Sequence, residues 1–196
     1  MRQLRVQNGF SLIELMVTIV IFSVGLLGVA GLQIVSKRAT FEAMQRSTAS
    51  QIAFGLLEDM RANGPALASY LAIGQVGQNS ITSTTTTTVS TCADMAAPCN
   101  SVDIAARDLS HWEIMLDGGM EAGPNGGAGG LVSPAACITG PPFAVAGIYT
   151  VSVVWRGTAA IADPGINACG ATSGQYGAGN VFRRVVQIPT FIDPTI

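Results

Sequence analysis

Residues 9–35 read GFSLIELMVTIVIFSVGLLGVAGLQIV, a long apolar stretch in which Glu14 is the only charged residue. After Glu14, the 22 residues from Leu15 to Ser36 carry no charge. About 20 apolar residues are enough to cross a bilayer as a helix, so this segment can span a membrane. A charged side chain at bilayer depth costs roughly 2.5–3.5 kcal/mol even on lenient insertion scales. Glu14 therefore indicates a specific partner or function.

The residues before this stretch predict its orientation. Residues 1–8 contain Arg2 and Arg5 and no acidic residue. Because positive charge is retained on the cytoplasmic side, the N-terminus is predicted to stay in the cytoplasm. Residues from Lys37 onward are then placed outside the inner membrane.

Two simpler interpretations compete with a functional role for Glu14. Gly28-Val29-Ala30 offers small residues at a spacing that a signal peptidase accepts, and a plain single-pass anchor would also be apolar. However, the apolar run exceeds the usual 7 to 15 residues of a signal core, and Glu14 interrupts its beginning.

The sequence GFSLIE at residues 9–14, followed by an apolar helix, resembles the prepilin motif of type IV pilins and type II secretion pseudopilins. The resemblance implies cleavage after Gly9 by a prepilin peptidase and methylation of the new N-terminal residue, Phe10. It also implies that Glu14, the fifth mature residue, docks against the methylated amine of a neighbouring subunit. Such an amine would supply the counter-charge that a carboxylate in apolar surroundings requires.

The stretch from Gly25 to Gln33 resembles the corresponding part of the PilV family of minor pilins, the type IV pilus modification proteins. Major pilins commonly have proline where this sequence has Gly31, so the resemblance favours a minor subunit. Gly25, Gly28 and Gly31 can let helices approach closely, although glycine is also simply common in membrane helices.

Three segments follow from this resemblance and from the composition. Residues 1–9 are predicted to be a leader peptide, residues 10–36 the transmembrane and assembly half of a long helix, and residues 37–196 an exported domain that includes the rest of that helix. The chain has 10 basic and 12 acidic residues. Loss of Arg2 and Arg5 leaves 8 basic residues, so the mature net charge is 8 − 12 = −4. No broad basic surface for nucleic acid is predicted.

All four cysteines lie in the part that is predicted to be exported, where disulfides form. Four cysteines allow three pairings, and the favoured one joins Cys92 to Cys99 and Cys137 to Cys169. A zinc site is not expected, because the cysteines lack a C-x-x-C arrangement and His111 is the only histidine. No metal or other cofactor is predicted.

The chain predicts an α+β, pilin-like fold: a long N-terminal helix packed on a small antiparallel sheet with glycine-rich loops. The helix is predicted from Phe10 to about Arg61, with a left-handed cap at Asn63-Gly64-Pro65. Asn100 is expected to cap a second helix whose buried face carries Ala105, Leu109, Trp112 and Leu116. Strands are predicted at residues 148–156, 181–188 and, more weakly, 131–138. In the first of these, Tyr149, Val151, Val153 and Trp155 form the apolar face.

The remaining segments predict loops. Residues 80–91 are rich in serine and threonine and favour an exposed strand or loop, with glycosylation as an alternative. Residues 118–130 and 157–180 are glycine-rich connections. Asp163 could suggest calcium, but a single acid supplies too few oxygen ligands.

Two pairs of neighbouring residues have structural interpretations. His111 and Trp112 are interpreted as structural rather than catalytic. For Arg183 and Arg184, one solvated arginine and one that is salt-bridged to the helix is preferred over a two-residue anion clamp.

The sequence therefore predicts a structural protein and not an enzyme. The predicted function is that of a minor type IV pilin that helps to initiate assembly or forms part of the tip complex. A minor pseudopilin of type II secretion and a tip adhesin or DNA-uptake receptor are the alternatives. Expected partners are the prepilin peptidase, other minor pilins, the major pilin, the inner-membrane assembly platform and, before assembly, the membrane.

Overall fold

A computed structural model describes residues 9–77, 80, 99–119, 122–123, 126–127 and 129–195. The chain divides into two compact units, Met1–Phe41 and Glu42–Ile196. The observed α+β architecture, with one long N-terminal helix and a small antiparallel sheet, confirms the predicted fold class.

The first helix, α1, extends over Leu12–Ala62 and includes residues of both units. It begins where the Ser11 carbonyl accepts hydrogen bonds from the backbone N–H groups of Glu14 (3.1 Å) and Leu15 (3.2 Å). Its predicted left-handed cap is wrong. Asn63 has φ −124°, and a short 3-10 turn at Gly64–Ala66 follows the helix instead. Glycine is needed at Gly64 for space, because a Cβ there would lie 3.1 Å from the Cα of Pro194.

Two further helices lie in the second unit. The short helix α2 covers Leu67–Ala72, and α3 covers Ser101–Asp117. The predicted cap of α3 is confirmed, since the Asn100 side chain accepts a hydrogen bond from the Asp103 backbone N–H at 2.9 Å. Gly118 ends the helix with φ 77°, a left-handed conformation that favours glycine.

The main sheet consists of β1 (Gln75–Val76), β4 (Ala135–Thr139), β5 (Gly147–Arg156) and β6 (Arg183–Ile192). These strands lie in the order β1-β4-β5-β6, and all of the pairs are antiparallel. A separate two-stranded ribbon pairs β2 (Ala122–Gly123) with β3 (Gly126–Gly127) inside the predicted loop 118–130.

The strand predictions place the elements correctly but miss their ends. The predicted strand 181–188 begins two residues later and continues to Ile192, while the weaker strand 131–138 is shorter and begins at Ala135. Strand β1 was not predicted, because two residues are too few to show an alternating pattern. The predicted strand or loop at 80–91 lies, beyond Ser80, outside the described residues.

The main core of the second unit joins the later half of α1, α3 and one face of β5. The predicted apolar face of β5 is buried in it, as is the predicted face of α3. From α1 the core receives Ala49, Ile52, Ala53, Leu56, Leu57 and Met60. A smaller cluster on the opposite face of the sheet contains Ala135, Val154, Cys169 and Tyr176.

Candidate assembly segment

The N-terminal motif is exposed throughout its described part. Gly9, Phe10 and Ser11 precede α1, and the Phe10 side chain is 89% exposed. A peptidase that cleaves after Gly9 would therefore meet an uncovered backbone immediately before the helix. Residues 1–8, the rest of the predicted leader, lie outside the described residues.

Glu14 lies in the first turn of α1 and is exposed. A negative charge there interacts favourably with the unpaired N–H groups of the helix N-terminus. Among the described residues, no cation forms an ion pair with its carboxylate. Among the described residues, Glu14 is thus stabilised only by the partial charges of the helix N-terminus.

The apolar side chains beyond Glu14 have no covering partner in the described part of the chain. Each large apolar side chain between Leu12 and Val35 is at least half exposed. Within α1 lies a stretch that is long and apolar enough to cross a membrane, and none of it is buried. An exposed apolar surface of this extent is typical of contact with a membrane or with other proteins.

The three glycines of this segment are free of contacts within the subunit. A Cβ added at Gly25, Gly28 or Gly31 would meet nothing within 4 Å. Their backbone is helical, so neither a close approach nor an unusual dihedral within the subunit requires glycine there. No contact among the described residues therefore explains these three glycines.

Comparison with known families agrees with this geometry. Residues 4–30 match the prokaryotic N-terminal methylation motif, and residues 31–110 match the family model described as type IV pilin Tt1218. Over residues 4–110 the chain is therefore similar to type IV pilins. No curated protein and no solved structure matches the sequence.

The second unit contains a disulfide between Cys137 and Cys169, whose Cα atoms are 5.9 Å apart. The bond joins β4 to the long connection between β5 and β6. Cys99 is also disulfide-bonded, but Cys92 lies outside the described residues. The pairing of Cys92 with Cys99 therefore stays a prediction.

The sequence interpretation of Arg183 is wrong, because this side chain is fully buried instead of solvated. Its guanidinium donates to Asp163 Oδ1 at 2.8 Å, to the Asn167 carbonyl at 2.7 Å and, through Nη2, to the Cys169 carbonyl at 2.8 Å. The hydrogen bond from Arg183 holds the pKa of Asp163 below its ordinary value. Arg183 thus holds the connection between β5 and β6 in place, and Asp163 is its ion-pair partner.

The predicted salt bridge between one arginine and the helix is confirmed for Arg184. Its Nε lies 3.6 Å from Glu42 Oε2 on α1, and its Nη2 donates to the Ala159 carbonyl at 2.6 Å. Glu42 Oε1 also accepts from the Thr158 hydroxyl at 2.9 Å. Consecutive strand residues face opposite sides of the sheet. Arg184 therefore contacts α1 on one face, whereas Arg183 binds the connection between β5 and β6 on the other.

His111 and Trp112 do not act together. Trp112 is buried and donates from Nε1 to the Ile52 carbonyl at 3.2 Å, which links α3 to α1. His111 is exposed and lies near Asp59 and Asp108 at the surface. Burial and the neighbouring Asp108 raise the pKa of Asp59. No group of three potential metal ligands occurs among the described residues, so this acidic surface offers no complete metal site.

Sequence reasoning missed a buried polar network between the helices. The Tyr70 hydroxyl donates to Asp108 Oδ2 at 2.6 Å, and the Asn63 amide donates to the Ser101 carbonyl at 2.7 Å. Burial, followed by the hydrogen bond to Asp108, raises the pKa of Tyr70. These residues are distant in the sequence and carry no motif, so only the fold brings them together.

Proposed function

We propose that this protein is a type IV pilin and a minor subunit of the pilus, which helps to initiate the filament or forms part of its tip complex. Prepilin peptidase cleaves after Gly9 and Phe10 becomes methylated. Residues 10–36 then hold the subunit in the inner membrane as a single-pass helix, and residues 37–196 are exported. On extraction into the filament, helices of the major pilin and of other minor pilins replace lipid around the apolar segment.

The observation that carries this proposal is the carboxylate of Glu14, which forms no ion pair within the described part of the chain and lies at the start of an exposed apolar helix. Isolated charges in apolar surroundings are strongly disfavoured unless they are paired. The methylated N-terminal amine of an adjacent subunit offers that pairing at one register only. We therefore expect the charge of Glu14 to determine the register at which the subunit docks. The apolar surface contributes most of the attraction.

Three features support different parts of this proposal. Gly31 stands where the resemblance leads us to expect proline in a major pilin, and the family description of residues 31–110 is that of a type IV pilin. The three uncontacted glycines give neighbouring helices room for close approach. The sequence alone does not separate a pilus subunit from a secretion pseudopilin, so the pilus rests on the family description of residues 31–110.

Mass spectrometry of the mature N-terminus tests the processing step. The proposal expects a chain that begins with N-methylated Phe10. A chain that begins at Gly31 would show signal-peptide cleavage, and one that keeps Met1 would show a plain anchor. Either result would refute the assignment of the leader.

Glu14 variants test the assembly step. Glu14→Gln keeps the shape of the side chain but removes its charge, and Glu14→Ala removes both. We expect normal membrane insertion and cleavage, with recovery in sheared pili reduced about tenfold, which corresponds to only 1.4 kcal/mol. Glu58→Gln is the matched control, because Glu58 lies on the same helix and is exposed in the second unit.

The comparison of membrane and pilus fractions decides the outcome. Normal recovery of both Glu14 variants in pili would contradict the role of the carboxylate. Absence of the wild-type protein from pili, together with a defect in protein secretion in its deletion strain, would favour the pseudopilin alternative.

A further inference from the structure

A cavity in the second unit lies beside the ion pair between Arg184 and Glu42. Its volume is about 490 Å³, which falls in the usual range for small-ligand sites. Its walls come from α1, the sheet and the connection between β5 and β6. The apolar part of the lining consists of Ala43, Trp155, Ala159, Ile161, Pro164 and Val185.

The charges in this lining leave one positive charge in excess. Arg46 and Arg184 supply two guanidinium groups, and Glu42 supplies one carboxylate. Glu42 is already engaged by Arg184 and by Thr158. Arg46 is exposed, and its guanidinium forms no hydrogen bond or ion pair with any other described residue.

Trp155 adds a polar group without a partner. Its side chain is only 3% exposed, and Nε1 has no hydrogen-bond acceptor among the described residues. Buried N–H groups are nearly always paired, so this indole is an exception in a residue whose side chain also contributes to the cavity wall. The other tryptophan, Trp112, follows the general rule by donating to the Ile52 carbonyl.

From this combination we infer that the cavity binds a carboxylate carried on an apolar group. A single excess positive charge suits a monoanion, whereas a phosphate would require more donors than this lining offers. The carboxylate pairs with Arg46, and the apolar group packs against the wall that includes Trp155.

Two sources can present this chemistry. One is a free aliphatic or aromatic acid, and the other is an acidic side chain or chain terminus of an adjacent pilin. The second source rests on the proposed function, whereas the binding chemistry does not. The binding test and the source test are therefore separate.

The binding test uses the full-length protein in detergent micelles, with 3-phenylpropanoate as the probe and its neutral amide as the control ligand. The two indole N–H signals in a nitrogen-15 NMR spectrum report on the site, and Trp155→Phe assigns them. We expect the acid to shift the Trp155 signal and to leave the Trp112 signal in place. An amide that binds as tightly as the acid, or the absence of a shift, would overturn the inference.

Substitutions then test the charge assignment. Arg46→Gln should weaken binding of the acid about tenfold, as expected for the loss of a charge-assisted hydrogen bond. Glu42→Gln should tighten it about two- to fivefold, because it removes the competing negative charge of a partly exposed ion pair. Arg107→Gln is the control, since Arg107 is exposed on α3 and does not line this cavity. An unchanged affinity in Arg46→Gln would overturn the assignment.

A photo-reactive residue at Ala159, an exposed position in the lining, distinguishes the sources in cells. Cross-linking to another pilin, lost in Arg46→Gln, identifies a neighbouring subunit as the source. Retained binding of the probe without any such cross-link identifies a free acid. If the protein were not a pilus subunit, the cross-link would be lost but the titration with 3-phenylpropanoate would still succeed.

Discussion

Asp163→Asn tests whether the buried ion pair with Arg183 holds the connection between β5 and β6 in place. The Arg183 side chain is 0% exposed and that of Asp163 is 27% exposed, with 2.8 Å between the charged atoms. The substitution keeps one acceptor oxygen but removes the charge that compensates the guanidinium.

The magnitude follows from burial and not from distance. Removal of one partner from a buried ion pair costs about 3–5 kcal/mol, because the other charge remains buried and unpaired. Arg183 keeps its hydrogen bonds to Asn167 and Cys169, and Asp163 is partly solvated, so the expected loss of unfolding free energy is about 2–3 kcal/mol.

Glu58→Gln provides the matched control, because it makes the same chemical change in an exposed pair. Glu58 and Arg61 are 2.6 Å apart, a separation similar to that of the buried pair, but their side chains are 65% and 45% exposed. An exposed pair of this kind contributes only about 0.2–1 kcal/mol. If distance decided the energy, the two substitutions would have similar effects.

The assay is denaturant unfolding of the full-length protein in micelles, followed by tryptophan fluorescence with the disulfides intact. With a slope of about 1–3 kcal/mol per molar urea, Asp163→Asn should lower the midpoint by about 1 M or more. Glu58→Gln should lower it by a few tenths of a molar. Equal shifts for the two variants would refute the argument from burial.

The same comparison has a defined pH dependence. Because Arg183 lowers the pKa of Asp163 in the folded state, the ion pair contributes its full stability above the unfolded pKa of about 3.9. That contribution is lost as the pH falls through the folded pKa. The difference between wild type and Asp163→Asn should therefore be constant from about pH 5 to 7 and should decrease below about pH 4. A difference that persists at about pH 2 would contradict the role of the charge.

Three further substitutions test other parts of the second unit by the same unfolding measurement. Replacing both Cys137 and Cys169 by serine opens a loop with a sequence separation of 32 residues and should cost about 3–4 kcal/mol; an unchanged midpoint would contradict this role. Asn100→Ala removes the cap of α3 and should cost about 1 kcal/mol, whereas Asn100→Asp should restore most of it. Tyr70→Phe removes the donor to Asp108 and should cost about 1–2 kcal/mol, and a neutral result would show that water replaces this contact.

The predictions that succeeded depended on local patterns. The apolar spacing of α3, its Asn100 cap and the alternation along β5 each concern residues that are close in sequence. Gly64 shows the limit of such reasoning. Glycine after a helix suggests a left-handed cap, but here the requirement comes from the backbone of Pro194 at the other end of the chain.

The burial of Arg183 could have been predicted only by combining the register of the strands with the position of the disulfide. In the sheet, Cys137 pairs with Ser152, and Arg183 pairs with Arg156. These residues lie on the face opposite to the main core, because they alternate with its members along β5. A disulfide from Cys137 to Cys169 draws the connection between β5 and β6 over that face, which buries Arg183 under it. The alternation of β6 alone gave no reason to expect this cover.

Arg183 and Glu14 lead to opposite conclusions under one physical rule. Each charge has to be compensated when it is removed from water. Arg183 finds its carboxylate and carbonyl acceptors within its own chain, so its role is structural. Among the described residues, Glu14 has only the weak field of its helix terminus, in a segment whose apolar side chains also lack cover. Under the proposed function, a neighbouring subunit supplies both the counter-charge of Glu14 and the cover of the apolar segment.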